Sequence, residues 1–134
     1  RNDKKNRSPL VVARKHARSL KAMAQKAPDF CLGKYFLVKA ELESLKKQQQ
    51  HLHGALRHYK CAVSLAHNYK LLTDEAVACE LAGRYLVRDC QNESQGLYYI
   101  EQARKAYIQW GSNIKADRLV AEFENIQTKA IKWR

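Results

Sequence analysis

His58 and Cys61 stand three positions apart. On a helix that spacing puts an imidazole and a thiol on one face, where both can reach a single metal ion. No second pair at suitable spacing completes a four-ligand site. His51 and His53 are two apart and diverge on a helix, so they cannot share an ion. Ser64 and His67 repeat the three-residue spacing and would set a hydroxyl beside a base, the start of a nucleophile pair. No G-x-S-x-G and no glycine-rich phosphate loop accompanies them. The expectation is a segment without catalytic residues, metal or cofactor of its own.

Binding chemistry has more to work with. Arg14, Lys15, Arg18 and Lys21 gather on one helical segment. They read either as a solvated face or as a contact for something acidic: a neighbouring domain, a partner, lipid headgroups or nucleic acid. A nucleic-acid site would interleave exposed aromatics or Asn and Gln. The apolar residues of this segment are Leu, Val, Ala and Met, so nucleic acid is the weaker reading. A second set, Tyr35, Lys39, Arg84 and Arg88, would line a groove for an independent peptide-binding adaptor. Tyr98, Tyr99, Tyr107 and Trp110 could form an aromatic ligand cage, but their helical spacing reads as core. Truncating a buried Trp110 to Ala would then cost about 3–5 kcal/mol.

Charge narrows the partner class. The net charge is +12, yet residues 1 to 26 hold nine Lys and Arg against the single acid Asp3. The remaining residues carry sixteen basic and twelve acidic side chains. The basic character is therefore one local patch, not the whole surface. The four cysteines, Cys31, Cys61, Cys79 and Cys90, form no C-x-x-C pair and read as reduced, buried thiols of a cytoplasmic domain. No run of about 18 apolar residues predicts a membrane span. The chain starts "RNDKKNRSPL", without Met or an apolar signal core, which suggests a piece of a longer protein.

These residues must be carried by helices. Gly and Pro are scarce, at five and two of 134 residues. Pro9 suits a first helical position, and Leu10, Ala13, Ala17, Leu20, Ala24 and Ala27 recur at spacings of three and four. Pro28-Asp29 breaks that stripe. Further helices are expected over about 30–47, 51–68, a segment capped by Thr73 that ends near Cys90, 94–110 with Ser94 as a possible cap, and 114 onward. Gly111 is a left-handed stop. Links this short make consecutive helices antiparallel.

Within "EQARKAYIQWGSN" the small Ala103 lies between Ile100 and Tyr107, one turn to either side. A neighbouring helix can approach at the alanine while the large side chains fill the flanks. Ala55, Tyr59 and Ala62 repeat the pattern 41 positions earlier than Gly96, Ile100 and Ala103. This small-x3-large-x2-Ala spacing resembles the second helix of a tetratricopeptide repeat, A-x3-F-x2-A. Ala78, Leu81, Ala82 and Tyr85 resemble its first helix, W-x2-L-G-x2-Y, with Ala for the Trp and the Gly. The period exceeds the about 34 residues of that repeat, so an elongated repeat is implied.

A second resemblance spans residues 28 to 123. Glu75, Ala76, Ala78, Glu80, Leu81, Ala82, Arg84 and Tyr85, followed by Tyr99, Ala103, Arg104, Tyr107, Trp110, Gly111 and Lys115, are similar to the helical region after the ATPase module of large bacterial sensor kinases. Pro28, Phe30, Lys34, Leu37, Ala40 and Glu41 add an upstream match. The resemblance implies a scaffold between an ATPase and a sensor domain, with any chemistry outside this segment. The fold expected is all-α: about six antiparallel helices in hairpins, forming a tetratricopeptide-like right-handed superhelix over residues 9 to 134, behind a linker or disordered stretch at 1 to 8. The function expected is protein–protein or interdomain contact in signal transduction.

Overall fold

The structure, a computed structural model, describes residues 9–46 and 49–132, and the side chains of all of these but 49–52 and 126–132. Residues 1 to 8, expected to be linker or disordered, lie outside the described residues. The described chain is all-α: α1 (Pro9–Lys26), α2 (Pro28–Ser44), α3 (Gln49–Asn68), α4 (Leu72–Arg88), α5 (Glu93–Trp110) and α6 (Asn113–Lys132). No strand occurs among the described residues. The chain divides between Leu65 and Ala66 into two compact units.

In the first unit α1 and α2 are separated by Ala27 alone. A proline cannot donate the next helical hydrogen bond, and its ring pushes the preceding residue out of helical geometry. Ala27 accordingly sits at φ −138° and ψ 69°, and Pro28 opens α2. The chain reverses here, so Leu10 at the start of α1 lies near Leu42 and Lys46 at the end of α2. Every residue from Leu32 to Lys39 is half-buried. That follows from a helix with neighbours on two sides: α1 on one, α3 on the other. On the α3 side the Tyr59 hydroxyl donates to Glu41 Oε1 at 2.7 Å, and the Phe36 and His58 rings stack at 5.8 Å. Ala55, Tyr59 and Ala62 are all buried. Helix α2 ends three residues before the expected 47, and Leu45 is its exposed C-cap.

The second unit is built on the α4–α5 hairpin. Gly83 and Gly96 face each other so closely that a Cβ on Gly83 would stand 2.8 Å from the Gly96 carbonyl oxygen. Large residues flank this approach, with Ile100, Tyr85, Leu86 and Tyr107 all buried. Ala103 is fully buried, as its spacing requires. Two helix starts differ from expectation. Thr73 is exposed inside the first turn of α4, whose N-cap is Leu71 with no side-chain cap. Ser94 lies inside α5, whose cap is Asn92: its side chain accepts from the Gln95 N–H at 3.2 Å. Asn is among the strongest capping residues, and it reaches the orphan amide first. Gly111 ends α5 at φ 101°, and its amide returns to the carbonyls of Tyr107 and Ile108. Helix α6 then packs on α5 through Ala116, Leu119 and Phe123.

Candidate functional site

The basic residues of α1 do not share one environment. Arg14, Arg18 and Lys21 lie four and three positions apart, so they form a row along one side of the helix. Against the neighbouring α2 this row becomes one wall of a groove of about 350 Å³. Lys39 and Lys46 stand on the α2 wall with Tyr35 between the helices. Leu10, Ala17 and Leu42 give the groove an apolar lining. Five cations thus face a single carboxylate, Glu43, which pairs with Lys46 at 3.5 Å. Lys39 also leans over the Tyr35 ring, 5.8 Å from its centroid. Lys15 sits outside this groove. Helix α1 contains no acid, and among the described residues Arg14, Lys15, Arg18 and Lys21 make no ion pair. The structure thus joins Tyr35 and Lys39 to Arg14, Arg18 and Lys21. Pairing α1 with α2 creates the groove, and sequence spacing within α1 shows only one of its walls.

Arg84 has a different job. Its Nε donates to Glu80 Oε2 at 3.0 Å, and its two terminal nitrogens grip both carboxylate oxygens of Glu122, one of them at 2.7 Å. Glu80 Oε1 in turn accepts from the Tyr107 hydroxyl at 2.8 Å. The guanidinium lies 5.3 Å from the centroid of the Phe123 ring. One arginine therefore ties α4 to α6, and α5 joins through Glu80. Donating to the Glu122 carboxylate, Arg84 holds its proton more tightly than an ordinary arginine, and Arg84 keeps Glu122 below the usual carboxylate range. Arg88, one turn on, is exposed.

The aromatic quartet splits. Tyr107 is core, and burial together with its bond to Glu80 drives its phenol pKa upward. Tyr98 is 59% exposed and Trp110 47% exposed, so the reading of both as core is wrong. Trp110 closes α5 beside the Gly111 turn, where no later helical turn covers it. Lys115 bridges the pair, 5.4 Å from the Tyr107 ring centroid and 5.5 Å from that of Trp110.

His58 Nδ1 is buried without a hydrogen-bond partner. Burial first, then the nearby Lys39, lowers the imidazole pKa from 6.5; Glu43 opposes this and Arg57 adds to it. Cys61 lines a second, largely apolar groove in the first unit, with Leu32, Phe36 and Leu56. Among the described residues no three His, Cys, Asp or Glu side chains are grouped to hold a metal. His67 Nδ1 hydrogen-bonds Glu75 at 2.9 Å. All four cysteines are free thiols; Cys31 and Cys79 are buried, and burial pushes the Cys79 thiol up to about 12. No described helix is long and apolar enough to cross a membrane. Set against known proteins, the chain matches no family model, no curated protein and no solved structure.

Proposed function

We propose that this chain is a non-catalytic helical-repeat scaffold, making protein–protein or interdomain contacts within a signal-transduction protein. The observation that carries the reading is the α4–α5 hairpin, closed at the Gly83–Gly96 approach with Ala103 and Ile100 beside it. Hairpins that meet through small residues and bury each other's apolar stripes are the building unit of helical-repeat scaffolds. In the second unit Arg84, Glu80 and Glu122 are occupied in holding helices together. That use is structural. In this reading the chain is a tetratricopeptide-like region of a cytoplasmic sensor protein, with ATPase or kinase chemistry carried by other domains.

Lysine-directed cross-linking of the protein in its native cells tests the reading. Lys15, Lys21 and Lys39 are expected to link to another domain or another protein. Links confined to this chain's own residues would overturn it. A second reading, an independent peptide-binding adaptor, is favoured by one observation: Tyr35 and Lys39 share a groove with Arg14, Arg18 and Lys21.

A further inference from the structure

We propose that the α1–α2 groove docks an acidic amphipathic helix from a protein partner. The proposal rests on the scaffold reading and names the chemistry that one of its surfaces recognises. Arg14, Arg18 and Lys21 climb α1 in steps of four and three residues, about 6.0 and 4.5 Å and so close to one turn each. An acidic helix laid along the groove repeats its carboxylates at that same pitch, so each turn of the ligand meets one cation. Lys39 adds a further cation from the opposite wall. The lining between the walls is apolar, through Leu10, Ala17 and Leu42. A helix that carries leucines beside its acidic stripe satisfies both features at once.

Other occupants fit less well. A second copy of this chain carries a net charge of +12 and would meet its own sign. A phosphate backbone would leave the apolar lining of Leu10, Ala17 and Leu42 uncovered. A lipid surface is broad and flat, whereas these cations line the walls of a concavity.

The test is fluorescence anisotropy on the full chain. The probe is a labelled 18-residue helical peptide with glutamates on three successive turns and leucines on the adjoining stripe. Its twin carries glutamine for glutamate. At about 0.1 M salt the glutamate peptide is expected to bind about tenfold or more tighter than its twin. Arg18→Glu should weaken binding about tenfold, while Lys15→Glu, an equal change of charge on the same helix but outside the groove, should change it less than about twofold. Lys21→Glu repeats the measurement one turn along, should Arg18→Glu fail to fold by circular dichroism. Equal binding of the glutamine twin, or equal losses for Lys15→Glu and Arg18→Glu, overturns the proposal. So does tighter binding of a 20-nucleotide single-stranded DNA or of vesicles containing one quarter phosphatidylserine. If the peptide fails to bind while native cross-links form, the acidic-helix proposal falls and the scaffold reading stands. Peptide binding without cross-links outside the chain has the opposite meaning.

Discussion

Arg84 shows how one side chain can be read for the wrong purpose. Its position on a first helix suggests a peptide groove, yet its partner Glu122 lies 38 residues away, a separation that no local pattern reveals. Replacing Arg84 with Met is expected to lower stability by about 1–2 kcal/mol, measured by urea unfolding. That is the range for hydrogen bonds to charged groups, discounted because the Glu122 side chain is half exposed. Arg84→Lys should recover only part of the loss, because an ammonium cannot grip both carboxylate oxygens in one plane. Trp110 calls for a smaller figure than its sequence suggests. With the side chain half exposed, Trp110→Ala loses the Tyr107 and Lys115 contacts, about 1 kcal/mol, whereas Phe123→Ala empties a buried site at about 3–5 kcal/mol. His58 sets a pH dependence. Its folded pKa lies below the ordinary 6.5, so the unfolded chain takes up the proton more readily. Its contribution is complete above pH 6.5 and is lost as the pH falls past that value through the folded pKa. The urea midpoint should therefore drop as the pH falls below about 6.5, and His58→Phe should flatten that part of the profile. Glu101 and Glu122, lowered by their bonds to Arg104 and Arg84, act in a separate window. Their stability is present above 4.5 and lost as the pH falls further.

At the scale of elements, the glycines decide how closely two helices meet. Alanine at position 83 would raise helix propensity by up to about 1 kcal/mol, but its Cβ would stand 2.8 Å from a backbone oxygen that cannot rotate away. Gly83→Ala is therefore expected to destabilise by about 1–3 kcal/mol in thermal melts followed by circular dichroism, with overpacking outweighing propensity. A melt unchanged or raised would mean that the hairpin tolerates wider spacing. The six helices were legible in the sequence because their stripes recur at three and four, and because Pro28 and Gly111 punctuate the chain. Their starts were less legible. Ser94 was expected to cap α5, but the cap is Asn92, two residues earlier, whose oxygen meets the Gln95 amide. Ala82 masked Gly83 in the same way, since either is small enough for a close approach and pattern alone cannot tell which faces α5. The α1–α2 groove was half legible. Its cations were visible as a row, but the opposite wall required knowing that the chain reverses at Ala27.

Across the whole molecule, two kinds of electrostatics pull in opposite directions. Close pairs such as Arg84–Glu122, Arg104–Glu101 and Lys46–Glu43 stabilise, and salt weakens the exposed ones. The excess of 25 basic over 13 acidic residues repels itself, and salt relieves that repulsion. The pairs are few, and each exposed one is worth well under about 1 kcal/mol. The repulsion is summed over many charges and concentrated on α1, where five cations stand without an acid. Repulsion should win. Raising sodium chloride from about 0.05 M to 0.5 M, which shortens the screening length from over 10 Å to under 5 Å, is expected to raise the melting temperature. Arg18→Glu should diminish that rise by easing the crowding on α1, whereas Arg84→Met should not, because it also removes a stabilising pair that salt weakens. A melting temperature that falls with salt would mean that local pairs dominate.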